Sequence, residues 1–170
     1  MFSVSFLCFG ELTQREKVVK AYSDKIGWRE KTGHNDGTNI EYILGTVGLS
    51  KGNPWCAAFI YTCFIEAGVK GVPRSGYSPA WFPKSNTYYI RGIRGTPNAQ
   101  QADVFGLFIK SKNRIGHVGF IDVWGDGSIC ITVEGNTSLE TSGGKKDHDG
   151  EGVERKRRLK SQINKLSRWL

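Results

Sequence analysis

The chain has 170 residues, of which 38% are hydrophobic, with five Trp, nine Phe and 22 Gly; this excludes a disordered chain and fits one globular domain able to bury about two thirds of the surface its unfolded form exposes. Its four cysteines, Cys8, Cys56, Cys63 and Cys130, form no C-x-x-C pair and have no histidine at zinc spacing, so no metal cluster or dense disulfide framework is implied. The net charge of +8 fits an anionic partner; with no recognition motif beside it nucleic acid is set aside, and an anionic cell wall or other surface polymer or a membrane surface satisfies the same electrostatics.

Residues 1–12 read as an apolar extension. The first ten lack a basic n-region and a small-residue cleavage site, and they are far too short to span a bilayer. A truncated leader or a docked terminal strand is expected there, with 13–170 forming one domain. Residues 13–26 carry apolar side chains at Val18, Val19, Tyr22 and Ile26, and Thr13 with Glu16 has capping-box spacing, so a first helix is predicted. The turn cluster 35–39 precedes a short second helix over 40–47, ended by Gly48. A loop over 50–54 then delivers Cys56.

From 55 to 67 the positions 56, 59, 60, 63, 64 and 67 form one apolar stripe, and Gly68 stands where a left-handed cap belongs. A core-packed helix is predicted, with Cys56 at its start. Residues 71–95 read as an irregular segment in which Pro73, Pro79 and Pro83 alternate with Tyr77, Trp81, Phe82, Tyr88 and Tyr89. Such long loops are usually functional, and this one is expected to wall a groove.

Strands follow over 104–109, 117–124 and 128–134, the last two joined by a turn at Gly125-Asp126-Gly127. A two-residue loop at Asp126-Gly127 sets His117 opposite Asn136 and Glu134 opposite Gly119. Val118, Phe120, Trp124, Ile129, Ile131 and Val133 then share one face, and His117, Glu134 and Asn136 the other. The polar loop over 138–152 leads into a basic run, Arg155-Lys156-Arg157-Arg158, read as a solvated, charge-protected edge strand or, less simply, a binding patch. The surplus charge concentrates here, residues 145–170 holding nine Lys or Arg against four acids.

A thiol at a helix start, a histidine on one strand and a carboxylate and amide on the next are the parts of a thiol hydrolase. The helix N-terminus and an adjacent imidazolium both lower a thiol's pKa. His117 can take the thiol proton and return it to a leaving amine, and either Glu134 or Asn136 can orient the ring. The first-turn amides offer an oxyanion site. Trp55 and Pro54 are placed to shape the approach to sulfur. Cys63 and Cys130 read as core.

Three segments, Pro54-Trp55-Cys56-Ala57-Ala58-Phe59, Gly116-His117-Val118-Gly119 and Glu134-Gly135-Asn136-Thr137, resemble the signature of the CHAP family, the cysteine- and histidine-dependent amidohydrolases and peptidases of the NlpC-type, papain-like superfamily. Gly33-His34-Asn35-Asp36-Gly37 with Ile40-Glu41-Tyr42-Ile43, and the late Gly152-Val153 with its Arg-rich strand, resemble the bacterial and phage branch. The resemblance covers roughly residues 13–160. It implies an α+β, papain-like fold, with N-terminal helices packed on a small antiparallel sheet and the nucleophile at a helix N-terminus. It implies cleavage of a peptidoglycan amide, either between muramic acid and the first alanine or within the stem peptide and its cross-bridge.

By position the resemblance makes Cys56 the nucleophile, His117 the general base and acid, Glu134 the ring-orienting carboxylate and Asn136 a further polar member of the site. Trp55, Tyr77 and Trp81 are expected to contact substrate. Some relatives bind calcium through an acidic loop just before the cysteine, but here Asp36 stands alone, so no metal or cofactor is expected. Asp147-His148-Asp149 reads as a solvated loop. The implied setting is secreted, periplasmic or at the cell wall, with peptidoglycan as partner, no transmembrane span and a monomeric chain. Two other readings stay open: a papain-like protease or acyltransferase on a non-wall substrate, and a noncatalytic wall-binding domain.

Overall fold

The computed structural model describes residues 11–138 and 150–170. Helix α1 spans Gln14–Ser23, α2 Thr38–Thr46 and α3 Cys56–Glu66; strands β1 Thr87–Ile90, β2 Val104–Ile109, β3 Arg114–Val123, β4 Ile129–Thr137, β5 Gly152–Leu159 and β6 Lys165–Ser167 follow. The strands form one antiparallel sheet in the order β1-β6-β2-β3-β4-β5. This is an α+β architecture compatible with the papain-like CHAP fold. Among the described residues no helix is long and apolar enough to cross a membrane.

Local sequence chemistry sets the start of α1 and the end of α3, while α1 stops at Ser23 and α2 runs from Thr38 to Thr46, short of and ahead of the expected 13–26 and 40–47. Thr13 and Glu16 form the reciprocal capping box of α1. Helix α3 gives way at Ala67, and Gly68 takes the left-handed conformation that follows a helix end at least cost (φ +76°). The apolar stripe of α3 meets one face of the sheet: Phe120 of β3 is packed by Tyr22, Phe59 and Phe64, with ring centroids 5.2, 6.1 and 5.3 Å away. Val118 and Val133 complete that layer.

The opposite face carries a second apolar cluster, Phe105, Leu107, Ile121, Cys130, Ile163 and Leu166. His117 and Glu134 do lie on the side away from Val118 and Phe120, yet both are fully buried (0% exposed). A sheet covered on both faces leaves little of the solvated site face that strict alternation implies.

The hairpin is present, but its turn is not the two-residue one. Residues 124–128 connect the strands, Val123 pairs with Ile131, and a bulge after Ile121 returns the register to Ile121 with Thr132 and Phe120 with Val133. The bulge thus restores on the site side the offset that a tight turn predicts. A Cβ on Gly119 would lie 2.8 Å from Glu134 Cγ, as expected of cross-strand neighbours.

Two further expectations are corrected. Residues 71–95 are not wholly irregular: they hold a 3-10 helix, Ser78–Trp81, and β1, which pairs with β6. The basic run lies in β5 at the sheet edge, but only half of it is solvated. Glu154, Lys156 and Arg158 point inward and are buried, while Arg155 and Arg157 point out. Most of the 1–12 extension, most of the 138–152 loop and the Asp147-His148-Asp149 triplet lie outside the described residues.

Candidate active site

Cys56 is the first residue of α3, and its position is fixed from behind. Trp55 caps the helix, and its backbone N–H donates to Asn136 Oδ1 (3.0 Å). Asn136 Nδ2 donates in turn to Asn35 Oδ1 (3.1 Å) and to the Gly150 carbonyl (2.9 Å). The indole N–H of Trp55 donates to Glu30 Oε1 (2.8 Å), whose second oxygen accepts from the Asn35 amide (2.8 Å). Asn136 holds a left-handed backbone (φ +57°) beside the bulge between Glu134 and Thr137, which turns its amide toward the helix. Between these two residues only glycine fits, because a Cβ on Gly135 would lie 2.7 Å from the Trp55 ring and 2.8 Å from Phe59.

The His117 Nε2–H donates to Glu134 Oε2 (2.8 Å). With Nε2 taken, Nδ1 is the nitrogen left for the Cys56 thiol; it makes no hydrogen bond of its own, but imidazole and thiol hold each other's charge. Burial alone would push the thiol up, yet His117, the Ser78 hydroxyl and the Val118 backbone hold it below its ordinary value. Burial likewise works against the imidazolium, but Cys56 and Glu134 outweigh it and raise His117 to about 9. The arrangement favours a thiolate beside an imidazolium.

Glu134 can remain ionised in the interior because it is compensated. Burial raises its pKa, while the Arg158 guanidinium, His117 and their hydrogen bonds bring it well below the usual carboxylate range. Arg158 donates through Nη2 to Oε2 (2.6 Å) and through Nε to Oε1, and Thr132 Oγ1 donates to the same Oε1 (2.5 Å). Arg158 is only 3% exposed. A buried carboxylate held by a two-pronged guanidinium is fixed in direction as well as in charge.

Cys56 opens onto a cavity of about 200 Å³. Leu49 and Pro54 line one part of it, Tyr77 and Ser78 another, and Lys112 with Arg114 a third. Ser78, at the start of the 3-10 helix, sets its hydroxyl 3.6 Å from the sulfur.

Of the residues expected to contact substrate, only Tyr77 lines this cavity, at 54% exposure. Trp55 is enclosed, its ring against β4 and its N–H bound to Glu30. Trp81 is also enclosed, stacked on Phe64 (5.6 Å) and edge-on to Trp169 (5.5 Å). The proline-flanked 3-10 turn directs Tyr77 outward and Trp81 into the core.

Asn136 meets the helix start through its hydrogen bonds and bonds the ring of His117 through none of them. Arg158 and Ser78 were not anticipated. Inward orientation of Arg158 follows from the period-two alternation of β5, but nothing in the sequence pairs it with Glu134 without the strand register. The acidic groups before Cys56 do not fit a calcium loop: Asp36 accepts from Thr32 N and Oγ1 (both 2.9 Å), and Glu30 is bound as above. Among the described residues no group of three or more His, Cys, Asp or Glu side chains is placed to hold a metal.

Residues 48–136, more than half of the chain, match the sequence model of the CHAP domain. No curated protein matches the chain.

Proposed function

Since the chain belongs to the CHAP domain family, whose members are typically cysteine- and histidine-dependent amidohydrolases or peptidases, we propose that it hydrolyses an amide bond of bacterial peptidoglycan, as a muramoyl-alanine amidase or a stem-peptide or cross-bridge endopeptidase. The observation that carries this reading is the buried line from Arg158 through Glu134 to His117, whose ring acts on the Cys56 thiol at the mouth of a cavity.

In the proposed mechanism the Cys56 thiolate attacks the scissile carbonyl carbon, and the carbonyl π electrons move to oxygen. The first-turn amides of α3, which lack intrahelical partners, face the developing oxyanion. As the tetrahedral species collapses, His117 gives its Nδ1 proton to the departing amine and the C–N bond breaks, leaving a thioester on Cys56. Water, deprotonated by the now neutral imidazole, attacks the thioester; the acid product leaves and the ion pair reforms.

Glu134 supports the imidazolium through Nε2, and Arg158 keeps that carboxylate ionised. Asn136 acts through Trp55, as a positioning residue for the nucleophile. A net charge of +8 suits an anionic cell wall, and a secreted, periplasmic or wall-associated setting is proposed with it.

The test is digestion of purified sacculi of several chemotypes by the wild type and Cys56→Ser, with fragments identified by mass. Fragments from the wild type only are expected, and their new termini distinguish amidase from endopeptidase. Release from none of the walls would defeat the reading.

A further inference from the structure

We infer that Lys112 and Arg114 form a carboxylate-binding subsite beside Cys56, so that the preferred substrate carries a free carboxylate close to the scissile amide. This rests on the peptidoglycan-hydrolase reading and deepens it.

Both cations line the cavity into which Cys56 opens, and among the described residues no Asp or Glu lines it. The turn that supplies them, Lys110-Ser111-Lys112-Asn113-Arg114, contains no acid. Its geometry is defined: Lys110–Lys112 form a 3-10 turn and Asn113 takes a left-handed backbone (φ +47°), after which Arg114 opens β3 three residues before His117.

Neither side chain is spent on a protein carboxylate among the described residues. The Arg114 guanidinium lies over the Tyr77 ring, 4.9 Å from its centroid, and donates through Nη1 to the Ile115 carbonyl (2.9 Å). Guanidinium has five N–H donors, so stacking orients the fork while leaving most of it for a ligand. The stem of Lys112 runs along Gly116, its Cδ 3.3 Å from where a Cβ there would sit, and both residues line the cavity. A planar fork and a point charge on one wall, with an aromatic ring beside them, match a carboxylate better than a neutral amide.

A cavity of about 200 Å³ holds only groups close to the attacked carbonyl. The charge is therefore sensed near the scissile bond, where stem peptides carry free carboxylates that amidation converts to carboxamides. Salt should weaken the preference, as it does any contact at an open charged wall.

The experiment compares initial rates of fragment release from two preparations of the same sacculi. Both are acid-stripped of phosphate polymers, and one is treated with ammonia and carbodiimide to amidate its carboxylates. The wild type is expected to digest the untreated wall roughly tenfold faster. Arg114→Gln combined with Lys112→Gln should bring the ratio near one, and Arg114→Lys should retain part of it. Because the ratio for each protein compares the two walls digested by one enzyme sample, partial loss of folded variant cancels.

Equal wild-type rates on the two walls would overturn this inference and leave the hydrolase reading intact. In a third, unstripped preparation run alongside, faster release than from its stripped counterpart, with equal rates on the stripped pair, would assign the cations to a wall phosphate and overturn it as well. No release from any preparation removes the hydrolase reading and this inference with it.

Discussion

The two ends of helix α3 carry the same residue in opposite chemical states. Cys56 and Cys63 are both buried, yet Cys56 is held below the ordinary thiol value and Cys63 is pushed far above it. Burial acts upward on both and is the largest influence at each. At Cys56 an imidazole, a hydroxyl and a backbone amide answer it; at Cys63 only Lys25 does, and Glu66 adds to the rise. Helix membership and burial are common to both and do not distinguish them; the polar groups that meet each sulfur do.

The sharpest way to break this comparison is to delete each sulfur in turn. Cys56→Ser should lower wall digestion by at least about a thousandfold, the scale expected when a covalent nucleophile is lost. Cys63→Ala should leave the rate within about twofold and lower stability by about 1 kcal/mol through a small cavity, read from denaturant midpoints. Equal activity losses would erase the distinction.

Arg158 tests the support behind the reactive end. Arg158→Met leaves Glu134 buried with less compensation and should cost about 3–5 kcal/mol of stability, measured by chemical denaturation. In the surviving folded protein the acid limb of the pH–rate profile should move upward, because Glu134 then protonates more easily and supports the imidazolium less. The sign for stability runs the same way. A carboxylate depressed in the fold contributes above its unfolded value near 4.5, and that contribution is lost as pH falls.

The alkaline limb reports His117. In the proposed mechanism its proton goes to the leaving amine, and it is lost as pH rises through about 9, so the rate should fall about tenfold per unit beyond that point. An alkaline limb near the ordinary histidine value would mean that Glu134 and Cys56 do not hold the imidazolium. Ser78→Ala should have the smallest effect, a few-fold loss in rate corresponding to about 0.5–1.5 kcal/mol for one hydrogen bond.

Much of this site is legible in the sequence where local rules govern. The Thr13 and Glu16 box, the stripe of α3 and Gly68 each depend on neighbours within a few turns, and they appear where the spacing puts them. Glu134 was expected on the same face as His117, and that face survives because a bulge compensates for a longer turn.

What depends on distant packing was not legible. Trp55 and Trp81 look like groove residues by type and proximity to proline, yet large aromatic surfaces find burial whenever a core lies within reach. Arg158 sits in a run that reads as solvated, because charge alone does not reveal a buried carboxylate across the next strand. The role of Asn136 at the start of α3 follows from a left-handed backbone at a bulge, which period-two alternation cannot anticipate.

The most direct test of the central claim is the rate of iodoacetamide labelling at each cysteine of the native protein at about pH 6, mapped by peptide mass, in the wild type and in His117→Ala. Cys56 should label first and at a pH where an ordinary thiol is nearly inert, Cys63 and Cys130 should stay unlabelled until the chain is unfolded, and the variant should lose the Cys56 advantage. Labelling of Cys56 no faster than of Cys63, or at a rate unchanged by loss of the imidazole, would contradict the thiolate–imidazolium pair.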